Sequence, residues 1–555
     1  WTDFIKESDE QWAQYGDPYA TPDVEKLRDI ILKNQSFGLD RMPVGYWTYL
    51  SFHGETAEHI TEEEVADWAA IGATVMKGPE WNPDDPEHYA GMMELLDWCE
   101  KYEVKLMIRD GRTAPGRDGE PSRVLESRDD VAAHPAFFGY HICDEPHGLA
   151  EDGGKGLTDH CQNIQQNIDG GRPYINGGPF HPGVEDFLGV ESYEEYIDIF
   201  GRDGNVDFLA FDIYDQMFAG RGGWNAYFAN LRLYREGSWR HGIPYWITPV
   251  SSGHYAYEPP TFDDYRWQMN SSVASGAQGI LWFFYYMRDP HLNYIDPPVD
   301  EFWEKTQTWD DMRKVHQAFH KRYGDLFMNM ASTRVTFLPG GLGGGIEYTG
   351  NEVTRMVISA NDTTAPAILG EFIDMEGQRY IMLVNLHRTQ SVWWSIAFPG
   401  DDVEIYQYTW DGEEKPGPAS AASKFERGTR TGNIGVGYWL RPGQAIVQRV
   451  DSTMIRESEL TLQMRELNGL EPQGPLDLEL AIERLAEAEA RVAALTDEDN
   501  EGHVKWCHRS LEEAKTKLTG VQAKHAARAA EAVEDVEAVE AVEAVEAVDA
   551  APAAE

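Results

Sequence analysis

The stretch His134–Pro146, HPAFFGYHICDEP, decides the fold. An apolar run ends abruptly in two adjacent carboxylates, Asp144 and Glu145, followed by a proline. A parallel strand buried on both faces reads as a near-continuous apolar run. Two acids at its carboxyl end then stand at the rim of the sheet, where α/β barrels keep their chemistry. The structural alternative is a helix start, with Asp144 as N-cap and Pro146 in the first turn.

Outward from that stretch, short apolar runs alternate with helical patterns between residues 40 and 330. The runs are Pro43–Ser51, Ala73–Gly78, Val104–Asp110, Phe137–Glu145, Arg172–Gly178, Val206–Asp215, Ile243–Ser251 and Gln278–Tyr286. Between them, Thr61-Glu-Glu-Glu64 has the spacing of a capping box, and Tyr89–Cys99 repeats apolar residues at helical intervals. Eight alternations predict a (β/α)8 TIM barrel over residues 40–330, preceded by a helical lead-in over 1–39. A doubly wound sheet is the competing reading, but no Gly-rich phosphate turn follows the first run.

Residues 331–452 change character. Alternating strands Tyr380–Asn385, Ser391–Phe398, Val403–Tyr408 and Ala445–Val450, separated by Gly, Asp and Pro turns, predict a β-sandwich. Apolar residues then fall at spacings of three and four, as in Leu478, Ala481, Leu485, Ala488 and Val492. This predicts a helical hairpin or coiled-coil segment over 453–530, which would either join copies of the chain as a homo-oligomer or pack on the barrel. Residues 531–555 repeat AVE and read as an acidic low-complexity tail. From Asp451 onward the only aromatic residue is Trp506.

The 47 Lys and Arg against 95 Asp and Glu give a net charge of −48, which argues against nucleic acid and against an anionic membrane surface. No apolar run is long enough to insert in a membrane. The four cysteines lack metal-ligand spacing and imply no disulfide framework, and no cofactor is indicated. The first residue is Trp1 rather than Met, so residues upstream were removed or omitted, and a cleaved signal peptide and a trimmed chain are both open; a secreted or cell-surface setting is expected ahead of a cytoplasmic one.

In a barrel the strand ends collect the chemistry. Here they carry Trp47 on the first, Lys77 on the second, Arg109 and Asp110 on the third, and His141, Asp144 and Glu145 on the fourth. Asn176 follows on the fifth, Asp212 and Tyr214 on the sixth, His254 after the seventh, and Trp282 and Tyr285 on the eighth. Strand parity turns Leu209, Phe211 and Ile213 towards the helices and Asp212 and Tyr214 towards the axis. On the fourth strand it places Glu145 on one face with Cys143 and His141. The plain reading of Asp212 is an ion pair with Arg109 or Lys77, and of each aromatic, core packing. Two or more carboxylates among aromatic rings suit glycoside hydrolysis: one acid protonates the leaving oxygen and a second serves the sugar carbon. Aromatic faces offer sugars flat apolar platforms.

The barrel-plus-sandwich arrangement and HPAFFGYHICDEP resemble the glycoside hydrolases of clan A. In that clan the fourth strand ends in Asn-Glu-Pro or a close variant. The resemblance implies a carbohydrate substrate, retaining cleavage of β-linked oligo- or polysaccharides, and Glu145 as general acid/base. This chain departs in having Asp144 where Asn is usual, and in carrying no carboxylate on the seventh strand, where the clan places its nucleophile. Glu258 is the nearest downstream acid. The Asp144–Glu145 pair also resembles hexosaminidases that use the substrate's own acetamido group, with Asp144 as its stabiliser and Glu145 as the acid. A third arrangement takes Asp212 as the second carboxylate. The rival from another class is a non-catalytic carbohydrate-binding protein on a decayed barrel.

Overall fold

The computed structural model describes residue 12 and residues 14–116, 121–220, 222–287, 294–351, 353–398, 403–417, 436–473, 478–496 and, in part, 501–530. The acidic tail expected over 531–555 lies outside the described residues.

Each of the eight apolar runs contains one strand: β1 Val44–Tyr46, β2 Val75–Lys77, β3 Lys105–Ile108, β4 Phe137–Asp144, β5 Pro173–Asn176, β6 Leu209–Asp212, β7 Tyr245–Thr248 and β8 Ile280–Trp282. They form two four-stranded parallel sheets, β2-β3-β4-β5 and β1-β8-β7-β6. Where the sheets adjoin, Thr74 N–H donates to the Val44 carbonyl at 2.7 Å and Gly177 N–H donates to the Ala210 carbonyl at 2.8 Å. Gly45 sits at the first of these seams, where an added Cβ would lie 1.6 Å from the Val75 carbonyl oxygen. Only glycine allows that approach.

Side chains alternate along these strands into two apolar groups. Trp47, Val75, Met107, Phe138, Tyr174, Ala210, Trp246 and Leu281 share one buried cluster, to which every strand or the residue after it contributes. Their neighbours Tyr46, Met76, Ile108, Ile175, Phe211, Ile247 and Trp282 belong to a larger cluster with the surrounding helices, as does Tyr140 on β4, where the register against β3 shifts between Phe137 and Gly139. This is the burial on both faces that the apolar runs require.

The helices are α1 Val24–Gln35, α2 Glu62–Ile71, α3 Pro86–Lys101, α4 Lys155–Asn167, α5 Trp224–His241, α6 Phe262–Ala274 and α7 Gln307–Tyr323, with shorter turns between them. Thr61 caps α2 by accepting from the Glu64 N–H, but the box is only half made: the Glu64 carboxylate accepts from the Tyr286 hydroxyl at 2.9 Å. The complete capping box is at Thr261 and Asp264, opening α6.

Beyond α7 lie a seven-stranded sheet and a three-stranded antiparallel sheet. Leu369, Ile381, Leu383 and Val450 of the first share a buried cluster with Trp394, Ile396 and Leu440 of the second. Thr453–Arg456 and Glu459–Leu467 are short helices, and Met464 packs with Leu27, Ile30 and Ile31 of α1. So the start of the segment read as a hairpin packs on the main body. The helix Leu478–Ala493 carries Ala488 and Val492 into contact with Leu511. Among the described residues no helix is long and apolar enough to cross a membrane.

Candidate active site

The residues two steps beyond the inner cluster define the site. After Val75, Met107, Tyr174, Ala210, Trp246 and Leu281 come Lys77, Arg109, Asn176, Asp212, Thr248 and Phe283, which the period of two turns to the same side. On β4 the count is offset. Its register against β5 shifts between His141 and Cys143. The shift corrects the expected facing: Asp144 falls on the inner side with His141, while Cys143 turns towards Cys161 of α4. A bulge re-aims the side chains that follow it. Glu145 has φ of 41°, a left-handed conformation unusual outside glycine. Its N–H is pinned to the Asn176 carbonyl at 2.8 Å. Strained backbone of this kind clusters at functional sites.

Three carboxyls converge. The Asn176 amide donates to Asp144 Oδ1 at 2.9 Å and to Asp212 Oδ1 at 3.2 Å. The Asn176 side-chain oxygen Oδ1 accepts in turn from the Tyr174 hydroxyl at 3.3 Å, which fixes the amide's orientation. Asp212 and Glu145 hydrogen-bond to each other, and Asp212 also bonds Tyr214. Asp212 is 5% exposed, whereas Asp144 and Glu145 open to solvent. The partners seen for Asp212 are a carboxyl, an amide and a phenol.

Burial raises the pKa of Asp212 far above the carboxylate range, and the charges of Glu145 and Asp144 add to it. Burial and then the Asp144 charge raise Glu145, against its hydrogen bond with Asp212. Burial also raises Asp144, although the Asn176 hydrogen bond and the Lys77 charge pull it down. Carboxyls in hydrogen-bond contact cannot all ionise cheaply, so the group retains a proton towards neutral pH. Asp212, the least solvated, is where that proton is held most tightly.

Around the carboxyls, Lys77 lies over the Trp47 ring at 5.3 Å and donates to the Thr48 carbonyl at 3.3 Å. Trp47 meets the His141 ring edge-on at 5.2 Å. His141 is buried with neither ring nitrogen hydrogen-bonded, and burial, then the Lys77 and Arg109 charges, push its pKa down to about 3. It is a neutral imidazole. Tyr214 stacks on Phe283 at 5.3 Å, and His254 packs against both rings.

Of the remaining candidates, Arg109 stands at the rim of the site and the others lie away from it. Asp110 turns outward to Arg112, Ser127 and the helices, with Arg112 Nη2 at 2.7 Å. Arg109 is exposed and pairs with Glu80 at 3.3 Å. Trp282 and Tyr285 correct the expected sugar contacts: strand alternation sends Trp282 into the helix-facing core, where it donates to His316, and Tyr285, beyond the end of the strand, joins the same core and accepts from Trp309. Glu258 is exposed, and its N–H bonds the Met217 carbonyl. Phe283, Thr248 and Tyr174 were not singled out from the sequence. In the unbroken apolar run QGILWFFYY nothing polar marks which residue faces inward. Asp144 caps no helix, because the chain after Pro146 runs into the short turn Leu149–Glu151.

No protein-family model matches the chain, and no curated protein does. Among solved structures it resembles a β-galactosidase from the psychrophilic Marinomonas ef1, at 12% identity and TM-score 0.38, over 50% of this chain and 59% of that one. It also resembles a putative α-L-fucosidase from Bacteroides thetaiotaomicron, at 14% identity and TM-score 0.35, over 50% of this chain and 96% of that one. A GH5_18 protein from Bifidobacterium longum subsp. infantis aligns at 13% identity and TM-score 0.38, over 51% and 80%. The chain thus spans less than two thirds of the galactosidase's length. The structural neighbours are glycoside hydrolases, each less than 15% identical to this chain.

Proposed function

We propose that the chain is a glycoside hydrolase, with β1 to β8 forming one closed (β/α)8 barrel, the two following sheets a β-sandwich, and Glu145 the general acid/base. The hydrogen bonds across both seams support closure. The observation that carries the function is the Glu145–Asp212 hydrogen bond at the carboxyl ends of β4 and β6, beside Asp144 and the Trp47 and Phe283 rings. A general acid must hold a proton near neutrality, and a buried carboxyl neighbour is one way to keep it there. In this reading Asp212 stores the proton and passes it to Glu145, which delivers it to the leaving oxygen. Retaining pairs keep their carboxyls about 5–5.5 Å apart. The nucleophile of such a pair must be ionised, and burial with the charges of Glu145 and Asp144 keeps Asp212 protonated, so we assign Asp212 to proton storage rather than to attack on the sugar.

A second reading concerns what stabilises the sugar carbon. Thr248 and Val250 stand where a seventh-strand nucleophile would be, and Asp144 is oriented by Asn176. That favours substrate assistance. The acetamido oxygen of the substrate bonds to the anomeric carbon as the glycosidic C–O bond breaks, Glu145 protonates the leaving oxygen, and Asp144 stabilises the acetamido N–H. Water then opens the cyclic intermediate with Glu145 as base.

The test is the product anomer, followed by NMR, on a panel of aryl glycosides that includes N-acetylhexosaminides. Retention confined to acetamido sugars supports the second reading. Turnover of sugars lacking the acetamide rules it out. Binding without turnover of any sugar would move the protein to the carbohydrate-binding class.

A further inference from the structure

A cleft of about 460 Å³ opens between α6, α7 and the sheet domain, away from the strand ends. That volume lies in the range of small-molecule sites, roughly 300–1,000 Å³. Its lining reverses the charge of the chain. Arg266, Lys314, Arg322 and Arg441 line it, and among the described residues no Asp or Glu does, although acids outnumber bases by 95 to 47 in the sequence. Arg266 and Lys314 each hold one acid, Asp263 and Asp311, neither of which faces the cleft. Arg441 has no ion-pair partner among the described residues, and it lies near enough to Arg266 for the two positive charges to oppose each other. Arg322 Nε is buried without a hydrogen-bond acceptor. Arg266 also donates to the Pro442 carbonyl, so Arg441 and Arg322 are the cations left for an anion.

Two aromatic planes complete the cleft. Trp410 is 69% exposed and Trp439 60% exposed, an unusual outlay of large apolar surface. The Arg322 guanidinium lies 3.4 Å over the Trp410 ring, and Trp439 is braced edge-on by Trp393 at 5.7 Å. Planar guanidinium forks match carboxylate and sulfate oxygens. Exposed indole faces match the apolar face of a sugar ring.

We propose that this cleft is a second binding site, for a saccharide unit bearing a carboxylate or a sulfate. The unit lays its ring on Trp439 or Trp410 and directs its anionic group to Arg441 and Arg322. The −48 net charge repels extended polyanions, so a short anionic saccharide fits better than nucleic acid. The inference does not rest on the hydrolase reading, because none of the strand-end carboxyls takes part.

The test is titration calorimetry of the full chain with trigalacturonate, a chondroitin sulfate disaccharide, neutral cellotriose and ATP. The variants are Arg441→Ala, Trp439→Ala and Glu145→Gln. Arg441 and Trp439 are exposed, so both substitutions should leave the melting temperature unchanged. The expected result is that the anionic saccharides bind and cellotriose and ATP bind at least about tenfold more weakly. Arg441→Ala and Trp439→Ala should each weaken anionic binding about tenfold, the value of one charge-assisted contact, with Glu145→Gln unaffected. Added salt should weaken it further. No binding, equal binding of cellotriose or ATP, or binding by Arg441→Ala and Trp439→Ala as tight as by the original chain would overturn the assignment.

Discussion

Strands β3 and β4 are neighbours, and both end in acids, yet the two ends do opposite things. At β3, Asp110 is fully buried against Arg112, which is also bonded to Asp130 at 2.6 Å. Ser127 donates to Asp110 Oδ2 at 2.7 Å. Burial opposes the Arg112 charge, but its hydrogen bonds to the two acids outweigh that and raise its pKa. At β4, Asp144 and Glu145 meet a third acid and an amide, and among the described residues no guanidinium pairs with them as Arg112 does with Asp110; Lys77 acts on Asp144 and His147 on Glu145 only through their charge. The difference lies in one step of strand parity. Asp110 faces the helices and finds a guanidinium. Asp144 faces the axis and finds Asn176. An acid paired with a planar cation holds structure together. Acids crowded against one another hold a proton instead, and that is the resource acid catalysis needs.

Substitutions can break this contrast or sharpen it. The largest effect is expected at the β4 end. Glu145→Gln should lower kcat on a turned-over aryl glycoside by about 10²–10⁴, the range for loss of a general acid, with the melting temperature little changed. Arg112→Met should behave in the opposite way. It strands Asp110 and Asp130 without a cation and should cost about 3–5 kcal/mol of stability in denaturant titration. The rate per folded molecule should stay close to that of the original chain. Ser127→Ala should cost about 1–3 kcal/mol through one lost bond to a buried carboxylate, again without a rate effect.

The smallest effect is one of sign. The folded chain binds the Asp212 proton more tightly than the unfolded chain, since the folded pKa is raised. The stability linked to it is therefore complete below about pH 4 and declines as pH rises towards the folded value. Asp212→Asn lacks that dependence, so its melting temperature should fall less than that of the original chain between about pH 4 and pH 8. Melting curves at several pH values check this, and an equal or steeper decline in the variant would contradict it.

Much of this was legible in the sequence. The eight apolar runs are periodic and bounded, so the strands could be located, and the acids at their ends could be named. Asp212 could even be faced correctly, because Leu209, Phe211 and Ile213 mark the opposite side. What failed was parity where the signal is flat. In QGILWFFYY every residue is apolar, and Trp282 was taken in place of Phe283. On β4 the shift at Ile142 displaced the count by one, and no residue type announces a bulge of that kind. Asp110 and Asp144 look alike in sequence. Only the fold brings Arg112 and Asp130 to the first and Asn176 and Asp212 to the second. The charge reversal at the cleft was hidden because its four cations come from separated segments.

The account's central claim is that Glu145 delivers the proton to the leaving group. The most direct measurement compares the original chain and Glu145→Gln on aryl glycosides of one sugar with leaving groups of widely different acidity. If Glu145 is the acid, the variant should lose most on poorly acidic phenols and little on dinitrophenol, which departs without help. An equal loss across the series, or no loss on the poor leaving groups, would contradict the claim.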